Sequence, residues 1–65
     1  MYHLLIYYPG DPAHRPSQRI EARDPKAIVD TIPKVLAEHD GCERVVVMMG
    51  VTRLFSVDCA GNRLP

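Results

Sequence analysis

The sequence predicts an α+β fold, a single ββαββ domain in which one helix packs on one face of a four-stranded, mainly antiparallel sheet. Two segments rich in β-branched and aromatic residues precede one capped helical segment, and two more follow it. The 65 residues leave room for one hydrophobic core, so we assign residues 1–65 to one domain. This order of elements favours two hairpins joined by the helix.

The first predicted hairpin pairs a strand at residues 2–8 with a strand at residues 18–23. Residues 9–17 between them contain three prolines, one glycine and one aspartate, which is typical of a flexible loop. In the second strand, Ile20 and Ala22 alternate with charged residues. This alternation indicates a half-solvated edge strand, whose charges discourage pairing with other chains.

The predicted helix begins at Asp24-Pro25, because an aspartate at the N-cap accepts free backbone N–H groups and proline suits the first helical position. Gly41 supplies a left-handed stop. Pro33 removes one helical hydrogen bond and crowds the preceding turn, at a cost of about 3 kcal/mol. We expect a helix kinked at Pro33, with a break near Thr31 as the alternative. The stripe at helical spacing is formed by Ile28, Ile32, Val35, Leu36 and His39.

The second predicted hairpin joins residues 42–49 to residues 51–58 through a turn at Gly50. Residues 59–65 are expected to form a C-terminal turn followed by an exposed or loosely docked tail. The strand order 2-1-3-4 would place the two most apolar strands, the first and third, at the centre of the sheet, as suits strands buried on both faces. We prefer this order, and a β-grasp-like order 2-1-4-3 is the alternative.

The charge composition argues against partners that are attracted by long-range electrostatics. Eight Lys plus Arg balance eight Asp plus Glu, giving a formal net charge of zero. A neutral chain has no long-range attraction to phosphate backbones or anionic membranes, so neither nucleic acid nor a membrane is the expected partner.

The first residues lack the positive start and the long apolar run of a secretory signal. We therefore expect a cytoplasmic protein, with Cys42 and Cys59 as reduced thiols.

The sequence contains none of the spacing motifs that identify catalytic, nucleotide-binding or structural zinc sites. His39, Cys42 and Cys59 are zinc-ligand types, but they supply one close pair rather than two. The same residues with Asp58 form a nominal catalytic set, which in so small a domain would need a pocket built between subunits. We expect no cofactor, no metal and no catalytic activity. An enzyme with its site at a subunit interface is the third alternative.

The predicted sheet has more apolar surface than one helix can cover. Successive side chains point to opposite faces of a strand, and the third strand is apolar on both sides. Large apolar patches on soluble monomers generally serve association, most often as two-fold homodimers. We therefore predict a protein-interaction or regulatory module that forms a homodimer through the face opposite the helix, or binds another protein there. The predicted interface residues are His3, Leu5, Tyr7, Val46, Met48 and Leu54.

Single-stranded RNA binding through the same face is the alternative prediction. Sheets that bind single-stranded RNA present aromatic side chains between basic ones. The candidates here are Tyr2, Tyr7, Tyr8, Arg19, Arg44 and Arg53. Alternation along the first strand leaves only one of these tyrosines, Tyr7, on the open side.

The loop at residues 9–17 offers a second functional surface, with Asp11, His14 and Arg15 as candidate contact residues.

Overall fold

The computed structural model describes all residues, Met1–Pro65, and forms one helix and five strands. In chain order these elements are β1 (Tyr2–Tyr7), β2 (Gln18–Ala22), α1 (Pro25–Glu38), β3 (Arg44–Met49), β4 (Thr52–Asp58) and β5 (Arg63–Leu64). The strands form one antiparallel sheet in the order β2-β1-β3-β4-β5, and α1 packs on one of its faces. The predicted α+β class and the ββαββ order are confirmed, with one additional strand.

The preferred strand order is confirmed, because β1 and β3 are neighbours inside the sheet. β1 pairs with β2 on one side and with β3 on the other, so that Leu4 lies between Ile20 and Val47. An interior strand that is covered on both faces needs apolar residues throughout. The β-grasp-like order, in which β4 would lie beside β1, is wrong.

Arg63 and Leu64 form a strand rather than the predicted exposed or loosely docked tail. β5 pairs antiparallel with β4, and Leu64 lies opposite Ser56. The turn before β5 is held by Asp58, whose Oδ1 accepts the backbone N–H groups of Ala60 at 2.9 Å and Asn62 at 2.8 Å. These bonds, the Asn62 bond foremost, lower the pKa of the Asp58 carboxyl group. The tail prediction was wrong because this carboxylate binds backbone groups two and four residues later and so reverses the chain.

α1 is one continuous helix that contains Pro33. Asp24 caps the helix by accepting the Ala27 N–H at 2.8 Å, and Pro25 occupies the first turn. Pro33 is exposed, so its ring does not disturb the contact with the sheet. The alternative of a break near Thr31 is wrong, because apolar side chains on both sides of the proline are held in the same core. The helix lacks the length and the apolar run that crossing a bilayer requires.

The core lies between α1 and the inner face of the sheet. β1 and β3 each contribute alternate residues to it, and α1 contributes its apolar stripe. The remaining residues of β1 and β3 point to the opposite face, as the alternation predicts. The buried core side chains are Leu4, Ile6, Ala22, Ile28, Val35, Cys42, Val45, Val47 and Val57.

A β-bulge interrupts the pairing of β3 with β4. Val47 pairs with Phe55, whereas the next residue, Met48, pairs with Arg53, so Leu54 is an extra residue in β4. Arg53 therefore shares the outer face with Met48, and Leu54 lines a depression beside α1. The predicted position of Leu54 on the outer face is corrected, because one extra residue reverses the alternation of a strand.

Candidate interaction face

The face of the sheet opposite α1, called the open face below, is crossed by three rows of side chains that the strand register aligns. Each row runs from the β2 side of the sheet to the β4 side. The Glu21 row contains Glu21, His3, Met48 and Arg53; the Leu5 row contains Arg19, Leu5, Val46, Ser56 and Leu64; and the Tyr7 row contains Tyr7, Arg44 and Asp58. Of the six predicted interface residues, all except Leu54 therefore lie on this face.

A groove of about 380 Å³ crosses the open face. Leu5, Val46 and Met48 form its apolar floor, and part of the loop at residues 9–17 forms one wall. No carboxylate lines the groove, although the chain as a whole is neutral. The other lining residues are Tyr7, Ala13, His14, Pro16, Arg19, Arg44 and Arg53. The structure thus brings His14 of the loop and three arginines from three strands around one apolar floor.

The apolar side chains of the open face are already largely covered within one chain. Val46 is 7% exposed and Tyr7 is 4% exposed, while Leu5 and Met48 are half-buried. The Arg44 guanidinium lies 4.3 Å from the centre of the Tyr7 ring, and the Tyr7 hydroxyl donates to the Ala13 carbonyl at 2.6 Å. The area available to a partner is therefore smaller than the sequence pattern suggests.

A smaller depression of about 130 Å³ adjoins the groove beside His3. The Nδ1 atom of His3 is buried and has no hydrogen-bond partner within the chain. A buried polar atom without a partner costs about 1–3 kcal/mol. His3 is thus the residue of the open face whose side chain has a buried nitrogen without a hydrogen-bond partner in the single chain.

Asp11 organises the loop at residues 9–17 through its Oδ2 atom. Its carboxylate accepts the Ser17 hydroxyl and the Tyr8 backbone N–H, the latter at 2.9 Å. These hydrogen bonds, that from Ser17 foremost, lower the pKa of Asp11. Of the three loop residues predicted as contacts, His14 lines the groove, whereas Arg15 is exposed outside its lining.

A second cluster of reactive residue types surrounds the end of α1. The Tyr8 hydroxyl is hydrogen-bonded to His39 Nδ1 at 3.0 Å, and the Cys59 thiol donates to the His39 carbonyl oxygen at 3.7 Å. Cys42 is buried beside Cys59, and both thiols are free. Burial raises the pKa of the Cys42 thiol to about 11, and its hydrogen bond with Cys59 acts in the same direction. A thiol nucleophile requires a lowered pKa, and the pKa of Cys42 is shifted in the opposite direction.

The metal-ligand types in the sequence do not converge on one point. No group of three or more His, Cys, Asp or Glu side chains is arranged to hold a metal ion. His3 and His14 line the open face, and His39 lies at the far end of the helix. The Asp58 carboxylate binds the backbone of its own turn.

The bulge creates a further depression that alternation alone does not predict. This apolar depression of about 160 Å³ lies between the start of α1 and the sheet. Leu54 and Val29 stay largely exposed at its edge, at 41% and 65%. Its lining residues are Tyr2, Pro25, Ile28, Val29, Val47, Leu54 and Phe55. The residue that could have indicated this depression in the sequence is Leu54. It is an apolar residue of β4, and the bulge decides which face of the sheet it lies on.

Comparison with protein-family models, with curated proteins and with solved structures finds no match for this chain. Function is therefore inferred from side-chain geometry. The features to be explained are the apolar floor of the open face, its arginine rim and the loop that walls one side.

Proposed function

We propose that this chain is a small interaction module that self-associates through the open face, with two copies packing sheet against sheet. The observation that carries the proposal is the centre of that face, where Leu5 and Met48 remain partly exposed on strands that have no helix above them. A sheet that presents apolar side chains on both faces normally buries both.

The available apolar area sets the expected strength of the association. Covering the exposed part of Leu5 or Met48 contributes at most about 1 kcal/mol, so two copies together gain at most roughly 4 kcal/mol from these four side chains. Association costs at least about 4 kcal/mol of translational and rotational freedom. Polar contacts around the floor must therefore supply the net affinity. We expect a reversible dimer rather than an obligate one.

The direct test is the solution mass over a dilution series, by sedimentation equilibrium or light scattering. The chain has a mass of 7.3 kDa, and we expect the weight-average mass to rise toward twice that value as the concentration approaches millimolar. A mass that stays at 7.3 kDa throughout the series would overturn the proposal.

Adjacent methionines supply a matched pair of variants. Met48 lies on the open face, whereas Met49, the next residue of β3, points to the other face and is 45% exposed. Met48→Asp should abolish association with the circular dichroism spectrum unchanged, because it places a charge in the interface. Met49→Asp should leave the dimer intact. Val46→Asp is less informative, since Val46 is buried in the single chain and its replacement also threatens folding.

Single-stranded RNA is the second candidate occupant, and the arginine rim of the groove favours it. Arg19, Arg44 and Arg53 line one groove that contains no carboxylate. Tyr7 does not offer its ring for stacking, because Arg44 covers it, so the guanidinium planes would have to stack the bases. We expect measurable binding to a labelled single-stranded oligonucleotide at low salt, weakened by Arg53→Glu. Absence of binding at tens of micromolar would remove this candidate.

A further inference from the structure

We propose that Cys42 and Cys59 are a site of reversible oxidation, at which a small-molecule disulfide of the glutathione type converts the two thiols into one disulfide within the chain. Both thiols are free in this structure, which therefore shows the reduced form. The chain contains two cysteines, so no other pairing is possible within one copy. The pair is independent of self-association through the open face, because both side chains pack on the core side of the sheet.

One backbone atom brings the two cysteines together. The carbonyl oxygen of His39, at the end of α1, accepts the Cys42 backbone N–H at 3.0 Å and the Cys59 thiol at 3.7 Å. Cys42 belongs to the buried core cluster, and Cys59 packs against the same cluster. The two thiols are in turn hydrogen-bonded to each other. The end of the helix and the turn after β4 thus hold the two sulfur atoms side by side.

The places of the two cysteines in the chain suit a cross-link. Cys42 lies in the connection between α1 and β3, and Cys59 lies in the turn between β4 and β5. Because neither residue is inside a strand or a helix, both can move to the sulfur–sulfur distance of about 2.05 Å without disturbing the paired strands. The thiol bond to His39 that is lost is weak, since sulfur is a poor hydrogen-bond donor.

The unequal exposure of the two thiols sets the order of the exchange. Cys59 is partly exposed, whereas Cys42 is 5% exposed. The Cys59 thiolate therefore attacks the small disulfide first, forms a bond to one of its sulfur atoms and releases the other half as a thiolate. Cys42 then loses its proton, attacks Cys59 Sγ and expels the remaining half. Two protein thiols lose two protons and two electrons, and the small disulfide is reduced to two thiols.

The surroundings of Cys42 slow the second step without opposing its product. Burial raises the pKa of the Cys42 thiol to about 11, so little thiolate is present at neutral pH. The thiolate of a high-pKa thiol is nevertheless a strong nucleophile, and its target sulfur is already beside it. A disulfide carries no charge, so the burial that penalises the thiolate does not penalise the oxidised form.

Equilibration with glutathione tests the pair. The natural chain, at micromolar concentration, is held in buffers of different ratios of reduced to oxidised glutathione, and the exchange is stopped with acid. In intact mass spectra the internal disulfide lowers the mass by about 2 Da, whereas a mixed disulfide with glutathione raises it by about 305 Da. The effective concentration of one thiol toward the other should be about 10-fold or more higher in the folded chain than in urea, because the fold holds them together.

The same preference should appear as thermal stability. A disulfide that forms about 10-fold more readily in the folded chain stabilises that chain by the same factor, which raises the thermal midpoint by about 5 °C or more in a domain of this size. Scanning calorimetry of the oxidised and the reduced chain, at one protein concentration, measures this shift. An oxidised chain that melts at a lower temperature than the reduced chain would show that the bond strains the fold.

Single replacements test the order of attack. Cys42→Ala removes the thiol that completes the exchange, so the mixed disulfide should accumulate on Cys59. Cys59→Ala leaves the buried Cys42 alone, and this variant should stay unmodified while folded but react in urea. Circular dichroism of each variant establishes that it is folded.

Three other results would overturn the proposed pair. A natural chain that carries the mixed disulfide on Cys59 while Cys42 stays reduced shows that the two sulfur atoms do not meet. A disulfide-linked dimer of chains shows that oxidation joins two copies instead. An effective concentration no higher in the folded chain than in urea, or a folded chain in which neither thiol reacts, shows that the fold does not favour the bond.

Discussion

Cys42 shows how position decides the chemistry of a single side chain. It lies just after the helix end, with its thiol in the core and beside Cys59. Desolvation penalises the thiolate, so the pKa of Cys42 rises to about 11. The Nδ1 atom of the neighbouring His39 is hydrogen-bonded to the Tyr8 hydroxyl group.

We predict that Cys42 is nearly inert to alkylation in the folded protein. A pKa raised from 9.0 to about 11 lowers the thiolate fraction at pH 8 about 100-fold. Iodoacetamide should therefore modify Cys42 at least about 100-fold more slowly in buffer than in denaturing urea, as followed by mass spectrometry of peptides. Cys59 in the same sample serves as the internal comparison. Equal rates for Cys42 in the two conditions would contradict the prediction.

Single residues affect the stability of two elements. Pro33 lies inside α1, and the Asp58 carboxylate holds the turn before β5. Pro33 has no backbone N–H and cannot donate a hydrogen bond to the carbonyl four residues earlier. The apolar side chains of α1 nevertheless pack in the core. The turn before β5 depends on one carboxylate, Asp58, whose pKa is lowered by the bonds it accepts. The two residues have opposite effects, since Pro33 weakens α1 and Asp58 stabilises the turn before β5.

We predict that Pro33→Ala stabilises the protein by up to about 3 kcal/mol, because it restores a helical hydrogen bond at an exposed position and removes no packing. The midpoint of urea unfolding should rise with an unchanged slope. Lys34→Ala, at the next exposed helix position, is the control and should change stability little. A destabilised Pro33→Ala variant would show that the proline shapes the helix for its contact with the sheet.

We predict that the contribution of Asp58 to stability disappears in acid. Its pKa in the folded chain lies below the ordinary value of 3.8, so the stabilisation is fully present above about pH 4. It is lost as the pH falls through the folded pKa. The difference in unfolding free energy between the natural chain and Asp58→Ala should therefore be largest near neutral pH and shrink below pH 4. A difference that is constant from pH 7 to pH 2 would contradict the prediction.

The whole molecule is a small sheet with one covered face and one partly covered face. A chain of this size buries only roughly 60% of the surface that its unfolded form exposes, so its own core leaves a thin margin of stability. Association through the open face would add stability that depends on concentration, because a partner that binds only the folded state shifts the folding equilibrium.

We therefore predict that the thermal midpoint rises with protein concentration. A tenfold excess over the dissociation constant adds about 1.4 kcal/mol, which corresponds to about 5 °C or more for a domain of this size. Scanning calorimetry from tens of micromolar to millimolar should show the rise for the natural chain and for Met49→Asp, but not for Met48→Asp. A rise that Met49→Asp abolishes and Met48→Asp preserves would overturn the open face as the interface and place it on the face that carries Met49.

Much of the fold follows from patterns that act over short stretches of chain. Asp24-Pro25 specifies a helix start through local hydrogen bonding and the fixed φ of proline. The alternation along β1 and β3 specifies which residues enter the core, and the apolar character of both strands predicts their interior positions. These features were predictable because their causes lie within a few residues of their effects.

The tertiary structure alone decided the features that depend on residues far apart in the chain. The bulge that moves Leu54 toward α1 and Arg53 to the open face depends on how β4 pairs with β3. The burial of Tyr7 depends on Arg44 and on the loop at residues 9–17. The sequence by itself determined the elements and their apolar faces, since backbone geometry and side-chain alternation are local. Register and the gathering of three arginines around the groove required the assembled sheet, because they arise from pairing between strands.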